Sequence, residues 1–156
     1  MSLLYMESPA GRIEIRGTEE FISRVAFVDA DAPVNDVNEV PALIRECSAQ
    51  LDAYFKGRLR NFDLPLQQEG TAFRQLVWQN LLTIPYGETI TYLALAKRLG
   101  NVKSIRAAGT ANGKNDIAII VPCHRVIGVN GALTGYAGGL WRKQFLLGLE
   151  KGGRLF

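Results

Sequence analysis

Cys123 and His124 stand side by side, between Pro122 and Arg125. The nucleophilic form of cysteine is its thiolate, and an ordinary thiol ionises only near about pH 8.5. A neighbouring imidazole can take the proton, directly or through a water, and a third group can orient that imidazole. His124 is the chain's single histidine, so any such work falls to it. A helix N-terminus at the cysteine would favour the thiolate further. An adjacent Cys-His pair is by itself weak evidence for covalent catalysis by sulfur, since in most proteins such a pair is coincidence. The second cysteine, Cys47, occupies an apolar position of a helical pattern and reads as a buried, inert thiol. Two cysteines and one histidine are too few for the four ligands of a structural zinc site, and they form no disulfide framework, so no metal is expected.

Several elements could position this pair. Residues 117–121 are uniformly apolar and predict a short buried strand that Pro122 ends. Residues 71–82 place Phe73, Leu76, Val77 and Leu81 on one helical face. Pro85, Tyr86 and Gly87 mark a turn. Thr89 can cap a helix running to Leu99, with Gly100 as its stop. Asn101 can cap a second helix over 102–112, with Gly113 as its stop. Two short helices around a tight glycine-containing turn have the pattern of a helix-turn-helix, which a plain helical hairpin shares. Lys103, Arg106 and Thr110 fall on one side of the second helix, near Ala107, Ala108, Gly109 and Ala111. Small side chains let a helix approach a groove closely, while Lys and Arg meet phosphates.

The first third has an α/β pattern. Residues 11–16 alternate polar and apolar, and 20–29, with Val25, Phe27 and Val28, predict a second strand. Residues 38–56 carry Val40, Leu43, Ile44, Cys47, Leu51, Tyr54 and Phe55 at helical spacing, with Gly57 as the stop. Residues 61–70 read as a linker, and the charge changes sign there. Residues 1–69 hold 7 Lys/Arg against 12 Asp/Glu, a net −5; residues 70–156 hold 11 against 3, a net +8. A strongly basic half suits a polyanion such as nucleic acid, and also suits a solvated face on an ordinary enzyme. With 156 residues, 47% of them apolar and 21% charged, the composition is that of a globular protein of one or two small domains and excludes disorder. No apolar run approaches the roughly 18–20 residues of a membrane span, and the N-terminus lacks a signal-peptide pattern, so a cytoplasmic protein without a membrane partner is expected.

The residues around the Cys-His pair add a resemblance. Pro122-Cys123-His124-Arg125-Val126 resembles the active-site signature of the methylated-DNA–protein-cysteine S-methyltransferases, the 6-O-alkylguanine-DNA alkyltransferases. Pro85-Tyr86-Gly87-Glu88 and Ile90-Thr91-Tyr92 resemble that family's entry to its first helix-turn-helix helix. Arg106 is followed by Ala107-Ala108-Gly109, Asn115 stands upstream of Cys123, and Gly135-Tyr136-Ala137-Gly138-Gly139, Lys143 and Glu150 keep the spacing downstream. The resemblance is specific over roughly 70–151 and rests only on length and element order before that.

The resemblance implies a ribonuclease-H-like α/β domain over 1–66 and a mainly helical, winged-helix-like DNA-binding and catalytic domain over 70–156. It implies DNA repair by direct reversal of 6-O-methylguanine damage, and of 4-O-methylthymine, in double-stranded DNA after base flipping. Cys123 would accept the alkyl group, His124 would act as base through a water, Glu150 would orient His124, and Asn115 would hold the active-site turn. Tyr92, Tyr136, Gly138, Gly139 and Lys143 would form the base pocket. Arg106 would fill the base stack, with Lys103, Thr110 and Ala107 beside it on the DNA. An alkylated cysteine is a thioether that water does not readily cleave, so one molecule is spent per lesion, and a displacement at carbon needs no cofactor. A monomer is expected. Asp116 and Ala118 replace prolines, and Ala137 a serine, found in some relatives, which bears on pocket width and on one hydroxyl contact. No cysteine-rich zinc-binding segment is present, which argues against a transcriptional activator role. Two other functions compete. A lesion-binding protein of the same kind would replace the cysteine, here Cys123, and a Cys-His-Glu hydrolase would need an oxyanion site and repeated turnover.

Overall fold

The computed structural model describes residues 1–29 and 31–152, and the chain divides into two compact units, Met1–Gln68 and Glu69–Phe156. In the first unit three antiparallel strands form a meander: β1 (Ser2–Met6), β2 (Ile13–Gly17) and β3 (Ile22–Phe27). The alternation at 11–16 becomes β2, and the second expected strand is β3. The strand β1 was not expected, because the adjacent Leu3 and Leu4 break its alternation. Pairing decides it, with Leu4 opposite Ile15 and Met6 opposite Ile13. Gly17 sits where β2 and β3 shift register, and a Cβ there would lie 2.4 Å from the Phe21 carbonyl oxygen.

The helix α1 (Ala42–Phe55) packs on this sheet through Ile44, Cys47, Leu51, Tyr54 and Phe55. It begins later than residue 38. Pro41 forces the preceding residue out of the helical region, and Val40 sits at φ −116°, ψ 160°. Residues 37–39 form a separate 3-10 turn, where the Asp36 side chain accepts from the Asn38 N–H at 2.9 Å. Cys47 is wholly buried, and burial pushes its pKa up to about 12, as an inert core thiol requires. The segment expected as a linker lies partly along β3. Ile22 N–H donates to Pro65 O at 2.8 Å, Gln67 N–H donates to Ile22 O at 2.9 Å, and Leu66 bridges Ile22. A ladder this short has no alternation for a sequence to reveal.

The second unit is mainly helical: α2 (Ala72–Leu81), α3 (Tyr92–Arg98), α4 (Ile105–Gly113) and α5 (Leu140–Glu150), with a two-residue parallel pair, β4 (Ile90–Thr91) and β5 (Val126–Ile127). Thr71 caps α2 by accepting from Arg74 N–H at 3.2 Å. The buried face of α2 is Val77, Trp78 and Leu81, whereas Leu76, expected inside, is 49% exposed. Trp78 turns the face, because its indole N–H donates to Ala111 O at 2.9 Å and its ring covers Gly70. The cap of α3 is Thr91 rather than Thr89, since Ile90 and Thr91 pair with β5 before the helix begins. Asn101 caps only a 3-10 turn, Val102–Ser104, and α4 starts at Ile105. Gly113 lies inside α4 instead of stopping it.

The expected strand at 117–121 is absent. These residues form a buried turn in which Ile120 N–H donates to Ala118 O and Val121 N–H to Ile117 O, at 2.8 and 3.1 Å. Ile119 takes φ +72°, a left-handed conformation that is strained for a β-branched residue. Apolar composition signals burial, and it cannot separate a buried turn from a buried strand.

Candidate active site

Residues Cys123–Arg125 form one 3-10 turn between the strained segment and β5. Its main chain is held from the C-terminal end of α4. Asn115 Nδ2 donates to Ile117 O at 3.2 Å and to Val121 O at 2.9 Å, while its Oδ1 accepts from Ile117 N–H at 3.1 Å. Val121 O also accepts from Cys123 N–H at 2.8 Å. Asn112, buried in the last turn of α4, donates from Nδ2 to Cys123 O at 3.3 Å.

His124 is fully buried, and its Nε2 lies 2.7 Å from Glu150 Oε2. Glu150 is the last residue of α5 and is buried as well. Arg125 grips the same carboxylate twice, Nε to Oε1 at 2.8 Å and Nη2 to Oε2 at 3.1 Å, and its Nη1 donates to Ile84 O at 2.7 Å. Gly87 N–H donates to Glu150 Oε1 at 3.2 Å. Burial alone would raise the Glu150 pKa, but the hydrogen bonds from His124 and Arg125, with the charge of Arg125, outweigh it and hold the carboxyl well below its usual range. For His124, burial is the largest influence and lowers the pKa against the pull of Glu150. The imidazole is therefore neutral near pH 7, and the fixed positive charge facing Glu150 is that of Arg125. An ionised carboxylate at Nε2 selects the tautomer with the proton on Nε2. Nδ1, which is buried without a hydrogen-bond partner among the described residues, is then the basic nitrogen.

Cys123 is 7% exposed, and burial raises the pKa of its thiol. Opposing that, the Asn115 side chain, the charge of Lys143 and the main-chain N–H groups of Cys123 and His124 all favour the thiolate. Lys143 is buried on α5 and donates from Nζ to Thr134 O at 2.9 Å, with Nζ 5.7 Å from the Tyr92 ring centroid. The Tyr136 hydroxyl is buried without a hydrogen-bond partner among the described residues, and burial pushes its pKa well above the ordinary value. Gly139, at φ +95°, is the residue from which α5 starts; its N–H donates to Tyr136 O at 2.9 Å. Gly138 O accepts from Arg142 Nη1 at 3.0 Å.

The remaining expected site residues lie on the outer face. Tyr92, Arg106 and Thr110 line an open depression of about 540 Å³ with Ile105, Gly109, Thr134 and Gly135. Tyr92 OH donates to Thr134 O at 3.1 Å. Arg106, Ala107 and Thr110 are exposed on α4, and Lys103 is exposed on the preceding 3-10 turn, not on the helix where the sequence pattern put it. Neither Cys123 nor Tyr136 lines this depression. The structure thus gathers Cys123, His124, Glu150, Asn115 and Lys143 at one buried centre and sets the α4 residues on a surface. The sequence pattern gave no role to Arg125 or Asn112. Arg125 carried a usable signal, a charge inside an apolar run beside the single histidine; Asn112 carried none beyond its helical spacing from Asn115.

Two family models match the chain. One, described as 6-O-methylguanine DNA methyltransferase, ribonuclease-like domain, covers residues 2–68, and the other, the DNA binding domain of the same family, covers residues 72–152. The methylated-DNA–protein-cysteine methyltransferase of Methanosarcina acetivorans is 52% identical over 151 residues, spanning 92% of this chain and 94% of the relative. The protein of that name from Mycobacterium leprae is 48% identical over 148 residues, spanning 94% and 90%. Among solved structures, the crystal structure of Mycobacterium tuberculosis OGT in complex with DNA is similar at a TM-score of 0.84 and 44% identity, over 95% of this chain and 91% of that one.

Proposed function

The chain belongs to the 6-O-methylguanine DNA methyltransferase family, and from that membership we propose that Cys123 is the residue that receives the alkyl group. The protein is a methylated-DNA–protein-cysteine methyltransferase that repairs DNA by moving an alkyl group from a damaged base to its own cysteine. The observation that supports Cys123 is the buried relay beside it: a neutral imidazole, fixed through Nε2 by Glu150, with a basic Nδ1 left over.

In this mechanism His124 Nδ1 takes the Cys123 proton through a water, and Glu150, itself clamped by Arg125, holds the imidazolium that forms. Cys123 Sγ attacks the alkyl carbon. The S–C bond forms as the C–O6 bond breaks, and the electron pair passes into the guanine ring. The proton lost by sulfur is balanced by the one the departing guanine gains, with Tyr92 as its donor. Asn115 keeps Cys123 in place, while Tyr136, Gly138, Gly139 and Lys143 hold the extruded base. Arg106 fills the stack, flanked by Lys103, Ala107 and Thr110; a damaged pair lowers the cost of extrusion. The thioether product is not hydrolysed, so turnover stops at one, on guanine and thymine lesions alike. The protein acts as a monomer on duplex DNA in the cytoplasm, over domains 1–66 and 70–156. Among the described residues no helix is long and apolar enough to cross a membrane.

Intact-protein mass spectrometry after mixing with an oligonucleotide carrying one 6-O-methylguanine tests the acceptor. A stable gain of one methylene mass on the peptide holding Cys123 is expected, and Cys123→Ala should gain nothing while still binding DNA. A gain on any other peptide would move the acceptor elsewhere.

A further inference from the structure

Cys123 must meet a base whose position is set by DNA, and Arg106, Ala107 and Thr110, proposed above to face that DNA, sit on α4. Sulfur and α4 therefore have to keep a fixed register. Two asparagines reach the Cys123 turn, Asn112 from the last turn of α4 and Asn115 from just beyond the helix end. Asn115 holds the segment entering the cysteine, through Ile117 O and Val121 O. Asn112 holds the segment leaving it, through Cys123 O, which also accepts from Val126 N–H. Asn112 is 4% exposed, and its Oδ1 has no hydrogen-bond partner among the described residues. A buried acceptor without a partner destabilises the fold, so an apolar residue of similar volume should be tolerated there at least as well. The position of Asn112 is thus explained better by what it holds than by what it adds to stability.

We propose that Asn112 is a positioning residue for alkyl transfer: its amide ties the Cys123 carbonyl to α4, so that seating α4 on the duplex also places Sγ against the extruded base. The proposal rests on Cys123 being the acceptor. A free alkylated guanine base is placed by the pocket walls alone, without reference to α4. Loss of the tether should therefore slow transfer from duplex DNA more than transfer from the free base.

The test compares the wild-type protein with Asn112→Leu and Asn112→Ser. For each, the second-order rate of Cys123 alkylation is measured with a 6-O-methylguanine duplex and with free 6-O-benzylguanine, alongside duplex affinity and Tm. Asn112→Leu should lower the duplex rate about tenfold, the scale of one lost hydrogen bond, and the free-base rate only about two- to threefold, with Tm held. Asn112→Ser, whose short hydroxyl cannot span to Cys123 O, should shift the ratio the same way and carries the test if the leucine variant does not fold. Equal loss on both substrates, or an unchanged ratio, would overturn the positioning role. An absence of adduct on Cys123 in the wild-type protein would instead remove the acceptor assignment beneath it.

Discussion

At the scale of single residues, two pH effects separate the members of the buried relay. The Cys123 thiol is raised by burial, so at neutral pH it needs a base, and His124 is the neutral group beside it. General-base assistance is worth about 100-fold or more. His124→Ala should lower the alkylation rate about 100-fold at pH 7, and the deficit should shrink as pH rises and solution hydroxide ionises the thiol. A deficit constant from pH 7 to 9.5 would assign His124 a packing role. Glu150 gives the opposite signature. Its folded pKa lies below the ordinary 4.5, so it stabilises the fold above that value, and the contribution is lost as pH falls through and below the carboxylate range. Glu150→Gln should be less stable than wild type at pH 7, with the gap in Tm closing toward pH 3. Cys123 and His124 were legible in the sequence as a possible pair, and their roles came from the family resemblance. A charge inside an apolar run marked Arg125, but its clamp on Glu150 was not legible, because a carboxylate 25 positions away leaves no local pattern.

At the scale of elements, α4 divides the site into a surface and a centre. Arg106 is exposed on the surface side, while Asn112 is buried on the other. Arg106→Ala should therefore weaken repair of duplex DNA by about tenfold or more and leave transfer from a free alkylguanine base near the wild-type rate, because filling the stack matters only when there is a stack. Equal rates lost on both substrates would count against that role. Element type was mostly readable here, and boundaries were not. Helical spacing predicted α1 and α2, and caps with glycine stops predicted α3 and α4, yet Pro41, the β4–β5 pairing and the 3-10 turn at Val102–Ser104 each moved a start. The apolar run at 117–121 misled for a specific reason. The Asn115 side chain bonds the main chain of Ile117 and Val121, supplying hydrogen bonds that a sheet would otherwise provide, and Ile119 between them takes φ +72°.

At the scale of the whole molecule, charge is divided as the sequence showed, with −5 in residues 1–69 and +8 in 70–156. Duplex affinity should fall steeply with salt, each neutralised phosphate adding about −0.9 to the slope of log K against log salt. Transfer from an uncharged free base should vary little over the same range. Fluorescence anisotropy of a labelled duplex across sodium chloride concentrations, beside the free-base rate, measures both. A flat duplex curve would remove the basic half as the docking surface. The α/β character of the first unit was visible in alternation and helical spacing, whereas its β1 strand and the return of Leu66 to β3 depend on pairing that only the folded chain reveals.

Trp78 has a consequence for how the molecule can be watched. The chain has two tryptophans, and they live in opposite surroundings: Trp141 is 56% exposed, whereas Trp78 is 3% exposed with its indole bonded to the backbone of α4. A polar quencher such as iodide should silence the first and leave the second emitting. The remaining light then comes from a chromophore anchored to the helix that carries Arg106 and Asn112, so the protein contains its own unlabelled optical gauge of how that helix is seated.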